Sequence, residues 1–194
     1  MITTPLLIKV APRSVKVAET VTHWFNEYAC KFEVTTPERV AAFIAEAAQE
    51  SDSFTTTREY ASGSAYEGRK DLGNVFKGDG KKFKGRGYIM TTGRTNYMSV
   101  SRTIFKDDTL IKNPDLLAAP KYAMLSAFLY WEGNKLNVLA DKQFFYTISI
   151  RINGMNKKTK LPNGWEDRVM FYNRLCKEFG LPLYDIVTRN IITS

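Results

Sequence analysis

The chain has 194 residues, of which 44% are hydrophobic and 13% aromatic, so one packed domain spanning residues 1–194 is expected. Twenty-eight Lys and Arg residues against 20 Asp and Glu residues give a net charge of +8, which favours a polyanionic partner: nucleic acid, an acidic membrane surface or an acidic cell-wall polymer. One histidine and two cysteines without CxxC spacing argue against zinc hydrolases, His-assisted nucleophiles and small disulfide-rich scaffolds.

The N-terminal stretch "MITTPLLIKVAPRSVK" contains only a short apolar run before Lys9, and no later run approaches the length of a membrane span. We therefore expect no ordinary export signal and no stable membrane insertion. Cys30 and Cys176 are far apart in sequence, and two buried free thiols are the preferred interpretation.

Apolar residues recur at helical spacing in five segments of the chain. The second segment, 35–51, has the strongest start signals: Thr36 suits the N-cap, Pro37 the first turn and Glu38 the positive end of the helix dipole. Residues 61–95 are rich in glycine, lysine and arginine, which predicts irregular structure or a short hairpin. The sequence thus predicts a mainly α fold with one irregular lobe inserted after the second helix. The helical segments cover residues 14–32, 35–51, 119–136, 141–154 and 163–180, and residues 181–194 form a C-terminal tail.

The glycine-rich segment "GDGKKFKGRG" invites a phosphate-binding interpretation. It lacks GxxxxGK[ST] spacing, and "GRGYIM" fails GxGxxG at its last glycine, so nucleotide binding is not expected. Interleaved basic and aromatic residues also occur in proteins that bind single-stranded nucleic acid. A solvated loop at the edge of a cleft is the preferred interpretation, and no nucleic-acid partner is expected.

Two glutamates nine residues apart, Glu50 and Glu59, are the candidate catalytic pair. On a helical projection Val40, Phe43, Ala47 and, if the helix lasts that far, Phe54 share one face, and Glu50 lies on the flank of that face. Partial desolvation would raise the pKa of a carboxyl group, as a general acid requires. Glu59 follows in a polar stretch beside Arg58, where a carboxylate stays ionised more easily. Such pairs cleave glycosidic bonds, although a helix-end glutamate is more often solvated or salt-bridged.

Five ordered blocks carry a resemblance to a known family. They are "AAFIAEAAQESDSF", "REYASGSAYEGRKDLGN", "GDGKKFKGRGYIMTTGRTNY", "NPDLLAAPKYA" and "RINGMN…NGWEDRVMFYNRL". Together they resemble glycoside hydrolase family 19, in its branch of phage endolysins and bacterial chitinase-like proteins, from about residue 15 to 180. The resemblance implies a lysozyme-like, two-lobed fold in which a helical large lobe and a small irregular lobe enclose a substrate cleft.

The resemblance also assigns roles to individual residues. Glu50 matches the general acid, Glu59 the general base, and Thr92 a hydroxyl that holds the attacking water. Positions matching the family's substrate-binding side of the cleft are Asn96, the adjacent Tyr97, Asn153 and Arg168, of which the arginine would also organise the carboxylates. The sequence departs from the family where Gln49 replaces a common His and Met90 replaces a common Gln.

These roles imply an inverting mechanism that needs no metal and no cofactor. Because peptidoglycan carries peptide carboxylates, the net charge of +8 favours its glycan strands as the partner of this chain. The resemblance implies a monomeric endolysin that waits in the host bacterial cytoplasm for a membrane lesion. Two alternatives are a chitinase and a catalytically silent protein that binds walls or nucleic acid through its basic loop; both glutamates argue against the silent protein.

Overall fold

The computed structural model describes residues 1–192, so Thr193 and Ser194 of the predicted C-terminal tail lie outside the described residues. Helices dominate this part of the chain, and the extended segments within it form only isolated β-bridges. The mainly α prediction is therefore confirmed. The α-helices of residues 1–192 are α1 (Thr4–Val10), α2 (Ala18–Ala29), α3 (Pro37–Glu50), α4 (Asp79–Lys82), α5 (Arg94–Ile104), α6 (Thr109–Lys112), α7 (Pro120–Gly133), α8 (Leu136–Asp141), α9 (Phe145–Asn153) and α10 (Trp165–Phe179).

The large lobe is built around α3, which has an unbroken run of buried residues from 40 to 48. The helix begins as predicted, because the Thr36 hydroxyl accepts a hydrogen bond from the backbone N–H of Arg39 at 3.3 Å. Its Phe43 ring stacks on Phe128 of α7, with 4.3 Å between the ring centroids, and meets Phe25 of α2 edge-on. The longest-range packing of α3 is against α10, so the large lobe joins early and late parts of the chain.

The small lobe has a core of its own, made by Phe83, Tyr97, Leu110 and Leu117. Antiparallel bridges join residue 58 to 86 and 86 to 91, which form the short hairpin predicted within 61–95. The lobe continues beyond residue 95, because α5, α6 and the 3₁₀ turn Pro114–Ala118 complete this core. The two-lobed prediction is confirmed, whereas the C-terminal boundary of the small lobe at residue 95 was wrong.

The chain turns sharply directly after α3. Asp52, Ser53 and Phe54 have φ values of 51°, 60° and 64°, so three consecutive residues with side chains adopt the left-handed conformation. That conformation costs roughly 1–2 kcal/mol per residue. Phe54 thereby folds back into the core against Tyr88, with 5.4 Å between the ring centroids, instead of extending the helix. As a result, Glu50 is the last residue of α3 and stands at the end of a rigid element.

The structure bears on the predicted burial of the two cysteines and on the expected absence of a membrane span. Cys176 is buried as expected, but Cys30 is exposed at the end of α2, so only one of the two thiols is buried. Within residues 1–192, every helix is too short or too polar to cross a membrane.

Candidate active site

Glu50 is held at the end of α3 by an arginine from the last helix. Arg168 of α10 donates through Nη2 to Glu50 Oε1, and its side chain is only 1% exposed, whereas the Glu50 side chain is 14% exposed. The guanidinium is fixed from behind because its Nε donates to the backbone carbonyl of Asn163 at 3.0 Å. The predicted general acid is thus partly exposed and is oriented by a buried arginine.

A second carboxyl group, which sequence reasoning missed, shares the same arginine. Glu46 lies one turn before Glu50, is fully buried, and accepts from Arg168 Nη1 and from the Ser149 hydroxyl of α9 at 2.5 Å. Burial raises the pKa of Glu46 to about 7, although Arg168 and Ser149 both favour its charged form. The sequence signal that could have identified Glu46 is that it is the only charged residue between Arg39 and Glu50, in an alanine-rich helix.

Glu59 lies in the small lobe and is oriented through both of its oxygens. The Tyr66 hydroxyl donates to Oε1 and the backbone N–H of Gly85 donates to Oε2, each at 2.9 Å. Burial, and then the hydrogen bond to Glu59, raises the pKa of Tyr66 to about 12, so the phenol remains a donor at neutral pH. A Cβ at residue 85 would lie 3.2 Å from Glu59 Oε2, so glycine gives this carboxylate its space.

A groove of about 530 Å³ runs beside these groups between the lobes. Thr92 and Asn96, both predicted site residues, line it together with Met90. The Thr92 hydroxyl donates to the carbonyl of Met90 at 2.9 Å, and the Asn96 amide donates to the carbonyl of Thr92 at 2.8 Å. The wall is therefore tied together by its own polar groups, and the Thr92 oxygen keeps its lone pairs for a further partner.

Neither of the two glutamates lines the groove itself. On one side Tyr130 lines the groove, and after burial the negative charges of Glu50 and Glu46 raise its pKa. On the other side Met90 lines the groove and approaches residue 85, the backbone donor to Glu59. The groove is therefore lined by one residue that responds to the charge of Glu50 and by another that lies next to the backbone donor to Glu59.

Asn153 is the last residue of α9 and holds the backbone segment that contacts Arg168. Its side-chain oxygen accepts from the backbone N–H of Asn163 at 2.8 Å, and Asn163 in turn supplies the carbonyl that holds Arg168 Nε. Asn153 is half-buried, and its Nδ2 makes no hydrogen bond to any residue of the described chain. The structure thus links Asn153 to Arg168 through Asn163, and Arg168 to Glu50, while contact of Asn153 with substrate stays a prediction.

The expectation that Tyr97 contacts substrate was wrong. Its ring is completely buried against Phe83, with 5.3 Å between the ring centroids. Its hydroxyl donates to the carbonyl of Lys84 at 2.7 Å and accepts from Arg86 at 2.9 Å. Tyr97 stabilises the core of the small lobe, while its neighbour Asn96 is the residue on the groove side of α5.

The chemistry that these side chains offer is proton transfer by carboxyl groups. Across residues 1–192, there is no group of three or more His, Cys, Asp and Glu side chains with metal-binding geometry. His23 is exposed on α2. A protonated carboxyl on one lobe and a carboxylate on the other can donate a proton and accept another on opposite sides of a bond.

Comparisons with known proteins identify relatives of this chain. No protein-family model matches the sequence. An endochitinase of Arabidopsis thaliana is 30% identical over 143 residues, which cover 73% of this chain and 48% of the relative. A glycosyl hydrolase family 19 domain-containing protein of Haemophilus influenzae is 30% identical over 110 residues, which cover 57% of this chain and 49% of the relative. The chain thus spans about half the length of these two relatives.

The fold of this chain is similar to the folds of solved chitinase structures. Chitinase C from Streptomyces griseus superposes with a TM-score of 0.70 at 15% identity, covering 95% of this chain and 79% of the other. At that identity the superposition speaks for the fold alone, which is the lysozyme-like arrangement of two lobes. The sequence relatives show that the chain belongs to the chitinase-like proteins of glycoside hydrolase family 19.

Proposed function

We propose that this chain is a glycoside hydrolase that cleaves the β-1,4-linked glycan strands of bacterial peptidoglycan by an inverting mechanism. The observation that carries the proposal is the pair of oriented glutamates, one in each lobe. Glu50 is fixed by Arg168 at the end of a large-lobe helix, and Glu59 is fixed by Tyr66 and Gly85 in the small lobe. Family membership and the names of the relatives support hydrolysis of a glycan polymer.

In the proposed reaction Glu50 is the general acid. Its Oε1 accepts from Arg168, whereas Oε2 makes no hydrogen bond within residues 1–192 and can carry the proton. That proton passes to the glycosidic oxygen while the bond from this oxygen to the anomeric carbon breaks. Positive charge develops on the sugar ring as the leaving group departs.

Glu59 is the general base on the opposite side of the sugar. It takes one proton from a water molecule whose oxygen attacks the anomeric carbon, so one bond forms as the other breaks. The Thr92 hydroxyl donates a hydrogen bond to the carbonyl of Met90. Its lone pairs can therefore accept a hydrogen bond from the second O–H of that water. Thr92 thus orients the water without taking part in proton transfer.

The stereochemistry of the product tests this mechanism. A single displacement must convert the β-linkage into an α-anomer first, whereas a glycosyl-enzyme intermediate on Glu59 would return the β-anomer. Proton NMR of the anomeric signals, recorded on a chitin oligosaccharide before mutarotation mixes the products, is expected to show the α-anomer. An initial β-anomer would overturn the inverting assignment.

The variant Thr92→Val accompanies this measurement. It nearly keeps the side-chain shape and loses the hydroxyl, so kcat is expected to fall about 10-fold or more while KM stays nearly unchanged. Asn96→Asp is the matched comparison on the same wall, because its change at the groove surface should act mainly on KM. Unchanged kcat in Thr92→Val would remove the proposed water-holding role.

Charge supports peptidoglycan over chitin as the substrate. The chain carries a net charge of +8, and exposed lysines border the small lobe at 77, 81 and 82 and the loop after α9 at 157, 158 and 160. Chitin has no ionised groups, whereas peptidoglycan carries peptide carboxylates that attract a basic protein over long range. The setting that fits this proposal is an endolysin that reaches the wall from the host cytoplasm once the membrane is breached.

Parallel assays on the two polymers separate the alternatives. Release of reducing ends from purified peptidoglycan is expected to fall steeply when NaCl rises from 0.05 to 0.5 M, because charge attraction is screened within about 10 Å at 0.1 M salt. Hydrolysis of neutral chitin oligosaccharides should change little over the same range. Equal salt sensitivity on both substrates would contradict electrostatic recruitment.

Chitin hydrolysis is the second candidate, and the name of the Arabidopsis relative favours it. Cleavage of chitin with intact peptidoglycan would select this candidate. Absence of cleavage on both polymers would contradict the hydrolase proposal itself.

A further inference from the structure

The ion pair at Glu50 contains an electrostatic conflict. A general acid must hold its proton before the reaction, but an adjacent guanidinium stabilises the deprotonated carboxylate. Arg168 is almost fully buried, so water screens its charge only weakly at Glu50. An arginine paired with Glu50 alone would therefore promote loss of the proton that Glu50 must donate.

Glu46 resolves this conflict by its position. Its Oε2 accepts from Arg168 Nη1 while Glu50 Oε1 accepts from Nη2, so the two carboxyl groups divide one positive charge between them. If both were ionised, one negative charge would remain uncompensated in surroundings where Glu46 is fully buried. The arrangement therefore favours one proton shared by the two carboxyl groups.

The hydrogen bonds around Glu46 fit either location of that proton. The Ser149 Oγ lies 2.5 Å from Glu46 Oε1 and 3.1 Å from the carbonyl of Phe145. When Glu46 is ionised, the single hydroxyl proton of Ser149 points to its carboxylate. When Glu46 is protonated, it can donate to Ser149 Oγ, which then turns its own proton to Phe145. No polar atom of this group loses its partner in either state.

We propose that Glu46 is a positioning residue that neutralises Arg168, so that Glu50 can hold the catalytic proton at neutral pH. The inference rests on the proposed hydrolase function and extends it to a residue outside the cleft. The raised pKa of Glu46 agrees with a proton held by this pair in the neutral range.

The neighbouring helices add few other charges to this pair. From α10 the facing group is the charged Arg168, and from α9 it is the uncharged Ser149. From α7 the titratable group is Tyr130, whose pKa the charges of both carboxyl groups raise and whose hydroxyl donates to the carbonyl of Arg151 at 2.6 Å. From α8 Asp141 pairs with Arg39, which lies about two turns of α3, or roughly 10 Å, before Glu46.

The first test is the pH dependence of Glu46→Gln. The amide keeps the shape of the side chain but removes its charge, so Arg168 would act on Glu50 alone and pull its proton off at lower pH. The alkaline limb of kcat is expected to move down by about one pH unit or more, which is about a 10-fold loss above the limb. Activity should recover as the pH falls, and KM should change little. Glu27→Gln, the same change at an exposed site on α2, should leave the profile in place.

A second readout does not need activity. Carbon-13 NMR of labelled glutamate carboxyl groups should show coupled titration of Glu46 and Glu50 in the wild-type chain, and titration of Glu50 at lower pH in Glu46→Gln. If Glu46→Gln does not fold, Ser149→Ala replaces it. Loss of the Ser149 donor disfavours the ionised form of Glu46, so Glu46 keeps its proton more readily and again leaves Arg168 to Glu50.

The outcomes separate this inference from the hydrolase proposal. A wild-type chain that cleaves no glycan would overturn the proposed function, while the NMR titration would still report whether the two carboxyl groups are coupled. An active wild type with an unmoved alkaline limb and independent titration of Glu50 in the variants would overturn the role of Glu46.

Discussion

The variant Glu50→Gln is expected to lose about 10²- to 10⁴-fold of the hydrolytic rate, the usual contribution of general acid–base catalysis. The amide has nearly the shape of the carboxyl group and its oxygen can still accept from Arg168 Nη2, but it cannot deliver a proton to the glycosidic oxygen. Arg168 also keeps Glu46 as its ionic partner, so the fold should persist. Initial rates of reducing-end release, measured together with urea unfolding, check both halves of the expectation.

Glu27→Gln again supplies the comparison for Glu50→Gln, since it removes one carboxylate from an exposed position far along the chain. Its activity should match the wild type. Retention of a tenth or more of the wild-type rate by Glu50→Gln would rule out Glu50 as the acid.

The largest effect on stability is expected for Arg168→Met. Removing one partner of a buried ion pair typically costs about 3–5 kcal/mol, because the remaining charge is left without compensation. Here two carboxyl groups lose the same partner, and Glu46 has no route to solvent. Urea denaturation at pH 8 should show the loss, and Arg151→Met, at an exposed arginine on α9, should show little of it.

The same variant should be less damaged in acid. Burial already raises the pKa of Glu46 from 4.5 to about 7, and loss of Arg168 favours its protonated form further. The folded state therefore binds more protons than the unfolded state between these values, so stability falls as the pH rises through this window. The deficit of Arg168→Met should be smaller at pH 5 than at pH 8, and adding Glu46→Gln should recover part of it. Equal stability of Arg168→Met and wild type at pH 8 would show that the network contributes little.

The helix that carries the acid could be predicted from the sequence because its signals are local. Thr36, Pro37 and Glu38 mark its start, and the structure places α3 at Pro37–Glu50 with Thr36 as its cap. The end of the helix was less certain, because the left-handed turn that follows uses residues with side chains instead of glycines. The buried position of Phe54 holds that turn through tertiary packing, which local preferences do not describe.

The partners of the two glutamates could not be derived from periodicity. Glu50 and Arg168 are 118 positions apart and meet only because α10 packs on α3. The resemblance pointed to Arg168, Thr92, Asn96 and Asn153, whereas Glu46 had no assigned role. A projection of α3 would have found it, since a residue four positions before Glu50 lies on the same face.

The small lobe was the harder part to predict. Its core is assembled from α5, α6 and a 3₁₀ turn that extend past the glycine-rich segment, so the change in composition at residue 95 does not mark the end of the lobe. Tyr97 shows the same limit at the level of one residue. Adjacent positions on a helix point in different directions, so Asn96 faces the groove while Tyr97 enters the core.

The pairing of α3 with α10 also orders events during synthesis. Chains are synthesised from the N-terminus at about 5–20 residues per second. Arg168 lies 118 positions after Glu50, so it is synthesised roughly 6–24 s later. During that interval Glu46 is a carboxyl group without its counter-charge, in a helix whose other side chains are ready to pack. Docking of the last helix therefore completes the core and supplies the partner of the acid in one step. A nascent chain that lacks α10 therefore cannot form the ion pairs of Glu46 and Glu50 with Arg168.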